Sequence, residues 1–117
     1  MPTNTLLIEN ALLPQRTMKL LLESVDCLVH ATGDAKVLTE FLRMTPFSLI
    51  VVSTLSSNYD PILIAEQAKR LQPSARVLLW GAVARTLHGP AAAFIDGQLT
   101  MPCTLAQLKS VIHATSK

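Results

Sequence analysis

The stretch Leu49-Ile50-Val51-Val52-Ser53 constrains the fold more than any other part of the chain. Its first four residues are apolar and mostly β-branched, and they stand between Pro46 and the polar run Ser56-Ser57-Asn58. The run is too short for a helix, and its composition favours a pleated backbone. It also lacks the polar alternation of a strand with one wet face, so it reads as a strand covered on both sides. That is the middle of a parallel sheet. Open sheets of this kind place their active crevice beyond the carboxyl ends of the strands, and Ser53 is the residue delivered there.

The segments around it alternate in kind. Thr5 to Ile8 reads as a first strand with the polar pair Glu9-Asn10 at its tip. Pro14 suits the first turn of a helix, with Leu13, Thr17, Leu20, Leu21 and Ser24 spaced to form its buried side. Cys27 to Ala31 is a second strand. Asp34 is placed to cap a helix whose stripe is Val37, Leu38, Phe41 and Leu42, and Thr45-Pro46 ends it. Asp60-Pro61 is an N-cap followed by proline in the first helical position. Ile62, Ile64, Ala65, Ala68 and Leu71 supply the inner face of that third helix, and Lys69-Arg70 near its end suit the dipole. Arg76 to Trp80 is a fourth strand, with Gly81 and Ala82 at its tip.

Gly89-Pro90 interrupts the segment 83–93, so any helix there is short or broken. Gln98 to Thr100 is a last short strand, followed by Met101-Pro102-Cys103. Thr104-Leu105-Ala106-Gln107 is a capping-box pattern, opening a helix with Leu105, Leu108, Val111 and Ile112 on one side. Five strands with helices between them predict an α/β three-layer sandwich: a parallel sheet with helices on both faces. For one domain spanning residues 1–117, the flavodoxin-like order 2-1-3-4-5 is the natural expectation.

Composition narrows the function classes. Half the 117 residues are hydrophobic and 15% are charged, which sets disorder aside. A net charge of +2, with the ten Lys and Arg scattered, gives no footprint for nucleic acid. Cys27 and Cys103 lack metal-ligand spacing and read as reduced thiols. No leader pattern is visible and no apolar run reaches the ~18 residues of a membrane span. The expectation is a soluble cytoplasmic protein.

Taken together, the landmarks resemble the receiver domain, the CheY-like module of two-component response regulators. The similarity runs from Leu6 to Ile112. It rests on two polar residues after strand one, a single residue closing strand three, a small residue after strand four, X-Pro after strand five, and Asp60 seven positions past Ser53. In that family, acidic residues after strands one and three hold Mg²⁺, and the latter aspartate is phosphorylated. A Thr or Ser after strand four and a Lys before the proline then contact the phosphoryl group. At these positions this chain carries Glu9 and Asn10, Ser53, Gly81 and Met101, so only Glu9 keeps the family's chemistry. The aromatic residue usual three positions before the lysine is Gln98. The resemblance also implies a cis Met101-Pro102 bond and, because the segment before strand five is about three residues shorter than usual, an altered fourth helix.

The replacements remove chemistry. Mg²⁺ prefers hard carboxylate oxygens, a serine cannot form an acyl phosphate, and its hydroxyl is a weak nucleophile without a base. Met101 brings no cation and Gly81 no hydroxyl, whereas phosphoryl transfer depends on such electrostatic parts. No nucleophile-elbow pattern surrounds Ser53, which sets a Ser53–His88 hydrolase aside. His30, His88 and His113 share no ligand spacing. A flavin-binding flavodoxin would need a Ser/Thr/Gly phosphate loop where Glu9-Asn10-Ala11-Leu12-Leu13 stands.

The expectation is therefore a pseudo-receiver: no enzyme, no cofactor, no metal, no nucleic-acid or membrane partner. It would act as a bacterial signalling module that binds a kinase, an output domain or a second copy of itself, without a phosphorylation switch. By resemblance, the binding surface is made of the fourth helix, fifth strand and last helix, with Val83, Leu87, Gln98, Thr100, Leu105 and Leu108. Trp80 reads as core or as a partner's anchor. The alternative is a small-ligand sensor whose site is the former phosphorylation pocket of Glu9, Asn10, Ser53, Gly81 and Met101.

Overall fold

A computed structural model describes residues 2–55, 59–82, 87 and 89–113. The elements run β1 (Thr3–Ile8), α1 (Leu12–Glu23), β2 (Cys27–Thr32), α2 (Ala35–Met44), β3 (Leu49–Ser53), α3 (Pro61–Leu71), β4 (Arg76–Gly81), α4 (Ala91–Phe94), β5 (Gly97–Thr100) and α5 (Leu105–His113). The strands form one sheet in the order β2-β1-β3-β4-β5, and every pairing is parallel. The expected three-layer architecture and strand order are what the chain adopts.

The apolar runs lack alternation because each face of the sheet meets helices. Leu6, Ile8, Ile50, Val52, Val77 and Leu79 point into one core with Leu38, Leu42, Ile64, Ala65 and Ala68 of α2 and α3. Their neighbours Leu7, Leu49, Val51, Leu78 and Trp80 point into the other, with Met18 and Leu22 of α1 and Leu108 and Ile112 of α5. Every residue of β3 is buried. Burial of side chains of this kind contributes roughly 1.5–3 kcal/mol each, and the central strand is where both cores draw on it.

Local signals fix the helix ends. The Asp34 carboxylate accepts from Lys36 N–H at 2.8 Å, and Asp60 from Ile62 N–H at 2.9 Å, with Pro61 in the first turn. Thr104 and Gln107 close the capping box reciprocally, at 3.1 and 2.8 Å. Gly89 has φ +60°, a left-handed conformation suited to glycine, and α4 beyond Pro90 is a single turn. No helix among the described residues is long and apolar enough to cross a membrane.

Three helix faces differ from the sequence pattern. In α1 most of the expected face is wrong: Leu13 and Leu20 are 74% and 67% exposed, Thr17 and Ser24 are exposed too, and only Leu21 packs on the core, while Met18 and Leu22 are fully buried. The helix carries leucine around much of its circumference, and the set Met18, Leu21, Leu22 with Val25 satisfies the same periodicity as the rejected one. Docking on the β1–β2 face selects it. At the outer ends of the other stripes, Leu71, the last residue of α3, is 37% exposed and Leu105, the first of α5, is 48% exposed.

The lower end of the sheet is pinned by long side chains. Gln72 accepts from Phe47 N–H at 2.8 Å and donates to the Leu42 and Thr45 carbonyls at 2.7 and 2.6 Å, closing the C-terminus of α2. Arg76 donates to the Val111 and Ile112 carbonyls and so caps α5. Asp96 accepts from Val77 N–H at 2.8 Å and from Lys69 Nζ at 2.9 Å.

Candidate functional site

Glu9 and Ser53 follow from the same geometry. β1 and β3 are adjacent and in register, Ile8 beside Val52, so the next residue of each arrives at the crevice beyond the strand ends. Both side chains have no exposed surface. The Ser53 hydroxyl donates to one carboxylate oxygen of Glu9. The other oxygen accepts from Ala11 N–H at 2.7 Å. Ser53 Oγ in turn accepts from Leu55 N–H at 3.1 Å, and the side-chain amide of Gln15 donates to the Glu9 carbonyl at 2.7 Å. A buried carboxylate is tolerated only when hydrogen-bonded, and here two donors from its own chain supply that.

Tyr59 adds a third element that the sequence had not singled out. Its hydroxyl lies 2.9 Å from both the Ile8 and Ser53 carbonyls, and so ties together the carboxyl ends of β1 and β3. Burial, reinforced by the negative charge of Glu9, pushes its phenol well above the ordinary tyrosine range, with the Ser53 contact acting weakly the other way. The chain's only tyrosine, standing in a polar loop six residues past Ser53, was the available signal.

The side of the crevice toward β4 is filled as well. Gly81 is buried at the end of β4, and a Cβ there would fall 1.7 Å from Thr54 Oγ1. The Thr54 side chain thus takes up the space that any residue larger than glycine at position 81 would enter. Thr54 N–H donates to the Trp80 carbonyl at 2.9 Å, and Met101 N–H to the Gly81 carbonyl at 2.8 Å. The Met101-Pro102 peptide is cis, as the family resemblance implied. Met101 is half-buried against the α1–α5 core, and Asn10 is half-buried with Gly33 packed on its backbone. Trp80, paired in register with Ser53, is fully buried and belongs to the core, with no surface for a partner.

These residues do not fit a divalent cation. Mg²⁺ takes several hard oxygens and usually more than one carboxylate. The crevice brings one carboxylate, Glu9, whose two oxygens are already engaged, and the described residues contain no group of three or more His, Cys, Asp or Glu able to hold a metal ion. Asp60 spends its carboxylate on the N-cap of α3. Burial raises both thiols, Cys27 and Cys103, above their usual range, which lowers their thiolate fraction at neutral pH. His30 stands edge-on to Phe47, ring centroids 5.8 Å apart; His88 lies outside the described residues.

Of the expected interaction surface, Thr100 and Leu105 are exposed and Gln98 is half-buried. A groove of about 470 Å³ runs between β5 and α5, lined among others by Gln98, Thr100, Cys103, Gln107 and Ser110. Leu108 is a correction: at 1% exposure it anchors α5 to the sheet and presents nothing outward. Leu87 packs half-buried on the α2–α3 core, and Val83 lies outside the described residues.

No protein-family model matches the chain, and no curated protein matches it in sequence. Solved structures do. A CheY-like response regulator receiver domain from Methylobacillus flagellatus superposes with a TM-score of 0.84 at 14% identity, over 97% of this chain and 98% of that one. A Vibrio cholerae chemotaxis response regulator, CheY4, gives 0.80 at 10%, covering 97% and 98%. A Burkholderia pseudomallei response regulator, solved with a phosphorylated aspartic acid, calcium and citrate, gives 0.78 at 19%, covering 97% of this chain and 69% of that one. At such identities the likeness establishes the CheY-like fold.

Proposed function

We propose that this chain is a phosphorylation-independent, receiver-like signalling module that works by binding other proteins. The observation that carries the reading is the closed contact of Ser53 with Glu9. One structural neighbour was solved with a phosphorylated aspartic acid and a calcium ion; at the end of β3, where the family resemblance puts the acceptor, this chain has a hydroxyl bonded to a fully buried carboxylate. A serine there offers no acyl-phosphate chemistry. The neighbouring positions, Gly81 and Met101, supply neither a hydroxyl nor a cation. Full burial of Glu9 and Ser53 also weighs against a ligand sensor built on Glu9, Asn10, Ser53, Gly81 and Met101, since neither polar side chain is reachable without rearrangement.

What the fold leaves for function is its surface. The groove between β5 and α5, lined by Gln98 and Thr100 among others, is the face we assign to a kinase or an output domain. The test is a thermal melt with Mg²⁺ and beryllofluoride, a stable mimic of an aspartyl phosphate. Any ligand that binds only the folded state raises Tm by mass action. An unchanged Tm, together with unchanged Trp80 fluorescence, is expected. A saturable rise would contradict the reading.

A further inference from the structure

We propose that the free edge of β2 is a self-association site, pairing antiparallel with β2 of a second copy about a two-fold axis at Val29. A parallel five-stranded sheet ends in two unpaired edges, and the two edges of this one differ. β5 is four residues long, begins at Gly97 after Asp96 and is followed two residues on by Pro102. Those are features that blunt an edge. β2 is six residues, Cys27-Leu28-Val29-His30-Ala31-Thr32, with no proline, no glycine and no Asp, Glu, Lys or Arg. Its sequence offers neither the charge nor the proline that usually protects an edge.

The hydrogen-bond phase says which groups are on offer. Thr3 N–H donates to the Asp26 carbonyl at 2.9 Å and Glu9 N–H to the Thr32 carbonyl at 3.0 Å. With the β1–β2 register, Asp26, Leu28, His30 and Thr32 therefore face β1. Cys27, Val29 and Ala31 direct their N–H and C=O groups away from the sheet. An extended backbone is the chemistry that satisfies such a row.

A second copy meets it in register. With Val29 opposite Val29 of the second copy, Cys27 lies opposite Ala31, and every outward-facing residue becomes a hydrogen-bonded pair, about six bonds in all. On the α2 side, Leu28, which is 53% exposed, comes opposite the His30 ring of the second copy. Asp26 faces Thr32. Centring the axis on His30 instead sets Asp26 against Asp34, two like charges, and strands part of the row. Because each copy has one such edge, the pairing closes as a dimer.

The test is sedimentation of the full chain over a concentration series, with amide exchange followed in parallel. The expected result is a species of twice the chain mass, in which Val29 and Ala31 amides gain protection with concentration while Leu28 and His30 stay protected throughout. Leu28→Lys, at an exposed position where a lysine blocks edge pairing, abolishes the dimer. Thr100→Lys at the other edge leaves it intact. A monomer at every concentration overturns the proposal, as does a dimer that survives Leu28→Lys, is lost in Thr100→Lys, or leaves Val29 and Ala31 exchange independent of concentration.

Discussion

Replacing Ser53 by alanine removes one hydroxyl, and the structure says what that hydroxyl holds. Glu9 is fully buried and has two donors, Ser53 O–H and Ala11 N–H. A hydrogen bond to a charged group contributes about 1.5–3 kcal/mol, and a buried acceptor left without its partner also bears its desolvation cost. Leu55 N–H loses its acceptor too, but Leu55 is 43% exposed, so water replaces Ser53 there at little cost. The sum is a loss of about 2–3 kcal/mol, a large share of a typical 5–15 kcal/mol. It would lower Tm by roughly 10 °C. Urea melts at neutral pH, read as a lower midpoint at constant slope, measure it.

The cycle with Glu9→Gln isolates the contact. In the Glu9→Gln background no buried charge is left uncompensated, so Ser53→Ala costs less there, by about 1–2 kcal/mol of coupling. If Ser53→Ala changes stability by less than about 0.5 kcal/mol in both backgrounds, the closed Glu9–Ser53 contact is not what holds the strand ends, and the reasoning fails.

Three further outcomes follow from the same packing. Tyr59→Phe removes the hydroxyl joining the Ile8 and Ser53 carbonyls and is expected to cost about 1–2 kcal/mol in urea melts. Because burial raises this phenol above its ordinary value of 10.0, the neutral form is favoured in the folded state. Its contribution is whole below that pH and lost as pH rises above it, so the stability difference between wild type and Tyr59→Phe shrinks at alkaline pH; phenolate absorbance of the sole tyrosine tracks it. Gly81→Ala drives a Cβ onto Thr54 Oγ1, with an expected cost of about 1–3 kcal/mol that Thr54→Ala largely relieves. Asp96→Ala strips Val77 N–H of its side-chain acceptor and Lys69 of its ion pair; thermal melts should show a loss of about 1–3 kcal/mol.

Much of the architecture was readable because its causes are local or periodic. The unbroken run Leu49 to Val52 announced a strand with helices on both sides, and Asp34, Asp60 and the Thr104/Gln107 pair marked helix starts that the structure reproduces. The α1 face was not readable, since leucines on several sides of that helix leave two stripes of equal merit and only tertiary docking chooses between them. In the crevice, Glu9 and Ser53 could be placed from strand ends alone. Their mutual hydrogen bond could not, because it joins residues 44 positions apart. Tyr59 and Thr54 were missed for a related reason: a loop side chain folding back over the sheet leaves no periodic trace. Gln72, Arg76 and Asp96 act likewise, through backbone groups brought near only by the fold.

The most direct measurement is intact-protein mass spectrometry after incubation with acetyl phosphate and Mg²⁺, alongside a conventional receiver domain as positive control. With the Ser53 hydroxyl bonded to Glu9, the chain is expected to keep its unmodified mass while the control gains a phosphoryl group. A phosphorylated species of this chain, mapped to any residue of the crevice, would contradict the account.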